Sequence, residues 1–229
     1  MTVVEESVSG LEGGSDISMA PLSGGTVAGR IPQSPVVPAK EVEKQSAALG
    51  PDQWRSLMLA QPTESNLAKL IEAYSKKEIE ARAFYMIVGD LMTSNKPEVQ
   101  VLGIKAARAF PSAQSFQILV ANEEALLKDN QKELEEAFAT YAQSSRNGIL
   151  IMAMQSGDRE VIERAITIAM TSYQKAKEQS QSGNSDANLI LISFARFIPV
   201  LQVLSTNEDP QIAQTATGAL SQLQRVAAN

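Results

Sequence analysis

The feature that most constrains this chain is a helix–turn–helix pattern between residues 199 and 223. Aliphatic residues between Val200 and Leu204 lead into a short polar turn. Asp209 can cap the helix that follows, and Pro210 occupies the first helical position, where a backbone N–H is not needed. Apolar residues then recur at helical spacing, which predicts two helices joined by the turn. These apolar residues are Ile212, Ala216, Ala219, Leu220 and Leu223.

The same arrangement recurs earlier in the chain. Pro97 follows a polar break and precedes an aliphatic residue, Val99, and a small one, Gly103. When the second helices are superposed on this aliphatic position, it is occupied by Val99, Leu134, Val161 and Ile212. Small residues are expected to let another helix approach closely, and they include Gly103, Ala216, Gly218 and Ala219.

These patterns divide the chain into an N-terminal arm, residues 1–50, and a helical repeat domain, residues 51–229. We predict helices over 51–60, 63–74, 78–93, 97–110, 112–127, 130–144, 146–155, 158–179, 187–204 and 209–226, and an outer loop over 179–186. Residues 51–75 are expected to cap the stack. The helix pairs that follow are expected at 78–110, 112–144, 146–179 and 187–226.

The Asp209-Pro210 turn, the aliphatic residue two positions later, the alanines and the closing leucine resemble the second half of a HEAT repeat. The resemblance covers about residues 65–229, and it implies an all-α fold, a right-handed α-solenoid of antiparallel helix pairs. In HEAT repeats an arginine often follows the aliphatic position, and such arginines form a ladder between repeats. This chain lacks those arginines, so the sequence does not support such a ladder. The residues at that position are Gln100, Glu135, Ile162 and Ala213. A generic helical bundle would satisfy the same periodicity.

The N-terminal arm has a different composition. It holds seven of the thirteen glycines, and no aromatic residue precedes Trp54. Such a segment is expected to be extended or disordered, because it has too little apolar surface to offset its ordering entropy. Three prolines at a spacing of three match the polyproline II helix, which makes this segment a candidate docking peptide; an ordinary linker is the alternative. The candidate residues are Pro32, Pro35, Val36, Val37 and Pro38.

The composition excludes several kinds of chemistry. The chain has no Cys and no His, so thiol catalysis, histidine-based triads and Cys/His zinc sites are excluded. Its net charge is −6, which makes sequence-independent binding to nucleic acid unexpected. Carboxylate groups occur at 123/124, 133/135/136 and 160/163, and we interpret them as solvated helix surface. We therefore expect no catalytic residues, no metal site and no cofactor.

No run of the sequence is expected to span a membrane, and residues 1–30 lack the pattern of a signal peptide. A cytoplasmic location follows, with a periplasmic or exported one as the alternative if Met1 is not the native start. The cations most suited to face a groove are Lys105, Arg108, Arg146, Arg159, Arg164 and Arg196. Trp54 is either an anchor for a partner or a buried residue of the N-terminal cap.

The resemblance implies an interaction scaffold, because HEAT-like stacks present an extended surface formed mostly by the second helix of each pair. We therefore expect a protein partner, with a homo-oligomer as a further possibility. One alternative is a structural subunit of a bacterial envelope machine or a virion. Another is a HEAT-like enzyme acting on nucleic acid or a chromophore, for which the sequence offers few aromatic residues and an acidic charge balance.

Overall fold

The structure is a computed structural model of the 229-residue chain, and it describes residues 49–126 and 128–227. In these ranges the chain forms eleven α-helices and no strand, which confirms the predicted all-α class. The candidate docking peptide, residues 32–38, lies outside the described residues. The helices are α1 (Pro51–Ala60), α2 (Glu64–Ser75), α3 (Ala81–Met92), α4 (Pro97–Ala109), α5 (Ala113–Ala121), α6 (Gln131–Tyr141), α7 (Asn147–Met154), α8 (Arg159–Gln181), α9 (Ser185–Ser193), α10 (Ile198–Leu204) and α11 (Pro210–Ala227). Short 3₁₀ turns lie at Lys128–Asn130, Ser144–Arg146 and Phe194–Phe197.

Side-chain caps explain where several helices begin. The hydroxyl of Thr63 accepts a hydrogen bond from the backbone of Asn66 at 3.2 Å at the start of α2. Asp158 caps α8 through the backbone N–H of Val161 at 3.1 Å. Oδ1 of Asp209 accepts from the N–H of Gln211 at 2.8 Å, as the sequence predicts for the last turn. These caps satisfy N–H groups that have no partner inside their helix.

Several predicted helix bounds differ from the structure, including the start of α3 at Ala81 and the end of α6 at Tyr141. The helix predicted over 112–127 ends at Ala121, where the amide of Asn122 donates to the carbonyl of Ile118 at 2.8 Å. Helix α8 extends two residues beyond its predicted end to Gln181 and stops before Gly183, whose φ of 87° is in the left-handed region. The helix predicted over 187–204 is interrupted by the Phe194–Phe197 turn, next to Pro199, which has no N–H to donate.

The helices form two rows. The first row runs α1, α3, α5, α7 and then the Phe194–Phe197 turn with α10, and each member packs against the next. The second row runs α2, α4, α6, α8 and α11 in the same manner. The rows pack on each other through helix pairs that include α3 with α4, α7 with α8 and α10 with α11. Successive second-row helices therefore lie side by side.

The predicted pair over 112–144 packs differently from the others. Helix α6 packs mainly on α4, while α5 packs on α7 and α8. The two helices of this pair meet through aromatic side chains. The ring centroid of Phe116 lies 5.7 Å from that of Phe138 and 5.1 Å from that of Tyr141. All three rings belong to one buried core that extends from Trp54 to Leu223. Trp54 itself is only 6% exposed.

The small residues of the repeats have two different environments. A Cβ placed on Gly103 would lie 2.7 Å from Cγ and 3.0 Å from the backbone nitrogen of Met92, so α3 and α4 approach as closely as a glycine allows. Ala216 and Ala219 are buried, as their pattern predicts. Gly218 is exposed, and a Cβ there would meet nothing within 4 Å. Gly218 is therefore not a helix-contact residue among the described elements.

Gln100 stands where the family often has an arginine, and it is 1% exposed. Its amide donates to the carbonyl of Ser94 at 2.7 Å and to that of Ala125 at 3.2 Å. Its carbonyl accepts from Nδ2 of Asn130 at 2.9 Å, and the same Nδ2 donates to the carbonyl of Pro97 at 3.0 Å. A neutral amide network thus ties the turn before α4 to the segment between α5 and α6, since buried polar groups need partners.

Tyr141 makes stability sensitive to alkaline pH. Burial raises the pKa of its hydroxyl to about 12, and that hydroxyl also shares a 2.9 Å hydrogen bond with Ser115. The unfolded chain loses this proton near pH 10, while the folded chain keeps it. We therefore expect the free energy of unfolding to fall by about 1.4 kcal/mol per pH unit between pH 10 and about 12 because of this group.

Urea denaturation of the wild type and of Tyr141→Phe across this pH range measures the effect. The wild type should lose stability faster than the variant, because phenylalanine cannot ionise. Parallel pH profiles for the two proteins would contradict the expected pKa of Tyr141.

Candidate interaction surface on the second-row helices

Ion pairs join neighbouring helices of the second row. Nζ of Lys105 on α4 lies 2.5 Å from Oε1 of Glu64 on α2, and this hydrogen bond raises the pKa of the lysine. On the other side of α4, Nη1 of Arg108 lies 3.2 Å from Oε2 of Glu136 on α6. Exposed pairs of this kind contribute about 0.2–1 kcal/mol each. Two of the six candidate cations therefore brace adjacent helices.

A third cation links α8 to α11. Nε of Arg159 lies 3.9 Å from Oδ2 of Asp209, the residue that caps α11, and the guanidinium also donates to the side chain of Gln211. The same nitrogen lies 3.5 Å from Oε1 of Glu163, one turn along α8. The repeat pattern alone does not reveal these ion pairs, because their partners lie on other helices.

Arg164 has the richest environment of the candidate cations. Its guanidinium lies over the ring of Phe138 at 4.3 Å from the centroid, a cation–π geometry. Nη2 lies 3.1 Å from Oε1 of Glu123 and 3.1 Å from Oε1 of Glu135. Its Nε is buried and has no hydrogen-bond partner in the described part of the chain. Burial raises the pKa of Glu123, and the nearby Arg164 opposes that rise.

A groove of about 300 Å³ opens beside Arg164, between α6 and α8. These two helices pack less extensively than α4 with α6 or α8 with α11, and α5 also packs against α8. Apolar atoms form most of the lining, while Arg164 and Lys175 add positive charge and Glu135, which pairs with Arg164, adds negative charge. The lining residues are Glu135, Phe138, Ala139, Ala142, Arg164, Thr167, Ile168, Thr171, Ser172 and Lys175.

A second groove, of about 410 Å³, lies on the other side of α8, against α11. Its lining includes the exposed Gly218, whose missing side chain leaves the groove open. Thr167 and Thr171 border both grooves and form a polar ridge between them. The other lining residues are Ile166, Met170, Gln174, Gln214, Thr215, Ala219 and Gln222.

Two of the carboxylate pairs come together in space. Glu123, Glu124, Glu160 and Glu163 line one pocket of about 420 Å³, which also contains Arg164. In the part of the chain that the structure describes, no group of three or more acidic side chains has the geometry to hold a metal ion. Sequence spacing could not show that these pairs lie close together, because one follows α5 in a turn and the other lies on α8.

The other candidate partner-binding residues lie elsewhere. Arg146 donates to the carbonyl of Thr140 at 2.7 Å and so satisfies the C-terminal end of α6. Arg196 is exposed on the Phe194–Phe197 turn and lines neither groove. Trp54 lies in the core and offers no exposed anchor. The grooves themselves were not predicted, because they depend on how far apart α6, α8 and α11 lie.

One segment has the length and composition of a membrane span. Ser185–Leu204 has a mean hydropathy of 1.8, and one third of it, 33%, is buried within the fold. The expectation that no run approaches this length is therefore wrong by length and composition. The core helix of a folded domain passes the same test.

Comparison with known proteins yields little. No family model and no curated protein matches the chain. A search of solved structures finds similarity to the crystal structure of an engineered protein from a structural genomics consortium, with 16% sequence identity over 76% of this chain and 96% of that one. The TM-score of 0.29 is too low to support a conclusion about the fold.

Proposed function

We propose that this chain is a non-enzymatic scaffold of the HEAT-like α-solenoid type, which binds a protein partner on its second-row helices. The observation that carries the proposal is the pair of open grooves that flank α8, separated by the ridge of Thr167 and Thr171. The ion pairs of Lys105, Arg108 and Arg159 support it, since they hold successive helices in register and leave the grooves accessible. A rigid surface binds with less loss of entropy than a mobile one.

The chemistry of the α6–α8 groove favours a peptide segment as the bound element. Phe138 and Ile168 contribute apolar surface to the lining, and Arg164 lies beside them. An apolar side chain of the partner would pack on Phe138 and Ile168. The exposed Thr171 and Lys175 on the border of the groove offer polar groups to the backbone of such a peptide.

A substitution on the ridge tests the proposal. Thr171→Arg places a long side chain between the two grooves, on an exposed position whose hydroxyl makes no hydrogen bond among those described. We expect it to weaken partner binding at least about tenfold, which corresponds to about 1.4 kcal/mol. Thr217→Arg is the matched control, because Thr217 is an exposed threonine of α11 that lines neither groove.

The partner is first captured from the native source by chemical crosslinking with mass spectrometry. Crosslinks should occur at Lys175, which lines the α6–α8 groove, and not at Lys77 in the turn after α2. Binding of the purified partner to the two threonine variants is then measured by titration calorimetry. Equal affinities for the wild type and Thr171→Arg, or a chain that captures no protein, would contradict the proposal.

A further inference from the structure

A second surface lies on α9, the Phe194–Phe197 turn and α10. Leu189, Ile192 and Val203 are each 70–71% exposed, although they belong to the apolar segment formed by α9, the Phe194–Phe197 turn and α10. Together with the exposed Arg196 and Pro199 they follow one another at intervals of three or four residues, which places them on one side of this segment. We call these five residues the outer stripe.

The outer stripe continues into a groove. Pro199 and Val203 also line a depression of about 460 Å³ between the end of α7 and α10, together with Met154 and Ile162. The stripe and this depression form a continuous, largely apolar surface. Folded monomers rarely expose such surfaces without a binding role.

Arg196 supplies the charge of this surface. It is the single charged residue between positions 187 and 207 of the sequence. It makes no ion pair or hydrogen bond with the residues that the structure describes, whereas Lys105, Arg108 and Arg159 are all paired. An occupant of the stripe would therefore need one negative group near its middle.

The charge pattern disfavours a second copy of this chain as the occupant. Leu189 and Val203 each lie seven residues from Arg196, so the stripe is nearly symmetric about that residue. A two-fold axis that pairs the apolar residues of two copies would therefore place the two Arg196 side chains against each other. Like charges in such contact are destabilising.

A lipid bilayer is disfavoured for a different reason. Insertion of Ser185–Leu204 would expose the buried third of this segment, including Phe194 and Phe197, and would bring Arg196 into hydrocarbon. The acidic residues that flank the segment, Asp186 and Glu208, would repel anionic headgroups.

We propose that the outer stripe binds an amphipathic helix of a partner protein, which carries apolar residues at intervals of three and four and one carboxylate opposite Arg196. Apolar side chains of that helix would pack on Leu189, Ile192 and Val203 and extend toward the depression beside α10. Its carboxylate would pair with the guanidinium, for which arginine is well suited. This site shares no residue with the grooves beside α8. The proposal for the outer stripe is therefore tested independently of the proposal for those grooves.

A display selection with the full chain tests the proposal. The probe is a library of helical peptides in which the positions of one face are randomised. We expect the enriched peptides to carry apolar residues around a central Asp or Glu. Arg196→Glu should weaken their binding at least about tenfold, and a peptide with Lys in place of the central carboxylate should recover binding to that variant.

Matched variants separate the site from general effects. Ile192→Glu, at a 70% exposed position, should abolish binding, while Arg82→Glu, an exposed arginine of α3 outside the stripe, should leave it unchanged. Circular dichroism checks that each variant is folded. Failure to enrich a helix, or peptides that bind Arg196→Glu as tightly as the wild type, would overturn the proposal.

Two further measurements test the two alternative occupants of the outer stripe, a lipid membrane and a second copy of this chain. Vesicles of phosphatidylcholine with phosphatidylglycerol are mixed with the wild type and with Ile192→Glu in a sedimentation assay. Vesicle binding that Ile192→Glu removes would overturn the proposal in favour of a membrane surface. A dimer that is seen by light scattering and lost in Ile192→Glu would overturn it in favour of self-association.

Discussion

Replacing Phe116 by alanine should lower the free energy of unfolding by about 3–5 kcal/mol. Phe116 is fully buried, and its ring meets the edges or faces of Phe138 and Tyr141. These contacts join α5 to α6, two helices that pack little along their backbones. The substitution removes both the transfer free energy of the ring and its contacts with α6, and it leaves a cavity.

Urea denaturation followed by circular dichroism measures this loss. Ile192→Ala is the control, because Ile192 is 70% exposed and its truncation should change the free energy of unfolding by less than about 0.5 kcal/mol. A loss below about 1.5 kcal/mol for Phe116→Ala would show that α6 does not depend on this aromatic contact.

Replacing Gly103 by valine should destabilise the fold by about 3 kcal/mol. A Cβ added at this position would lie 3.0 Å from the backbone nitrogen of Met92. This nitrogen can move only if α3 moves away from α4. Helix propensity alone would make the valine variant more stable than the wild type by a few tenths of a kcal/mol. A loss of stability would therefore come from the contact between α3 and α4.

Gly218→Val provides the matched comparison. Gly218 also lies within a helix, but a Cβ there would have no neighbour within 4 Å. We expect this variant to be as stable as the wild type or slightly more stable, by up to about 0.5 kcal/mol. Thermal denaturation of the two variants side by side measures the difference, and equal stabilities would mean that α3 and α4 pack more loosely than the structure shows.

The predictions that succeeded at the level of helices rest on local chemistry. Asp209 caps α11 and Pro210 is its first residue, because both effects depend on side chains within a few positions of the helix start. The bounds that failed depend on competing local signals. Asn122 ends α5 early through its own hydrogen bond to Ile118, although apolar residues continue beyond it.

The candidate site was much less accessible to sequence reasoning. Basic residues on second helices could be selected, but their partners could not, since Glu64, Glu136 and Asp209 lie on other segments. The sequence also marks Gln100 only as a departure from the family pattern. The structure shows this residue in a buried network with Asn130, 30 positions away.

The sequence by itself determined the helical class, the turns and caps, and the apolar face of most helices, because periodicity and capping act over a few residues. Only the tertiary structure decided which glycine is a contact, which cations are paired, and where grooves open between α6, α8 and α11. It also decided that Leu189, Ile192 and Val203 lie outside the core of an apolar segment. Those outcomes depend on distances between helices remote in sequence, which packing sets and local pattern does not.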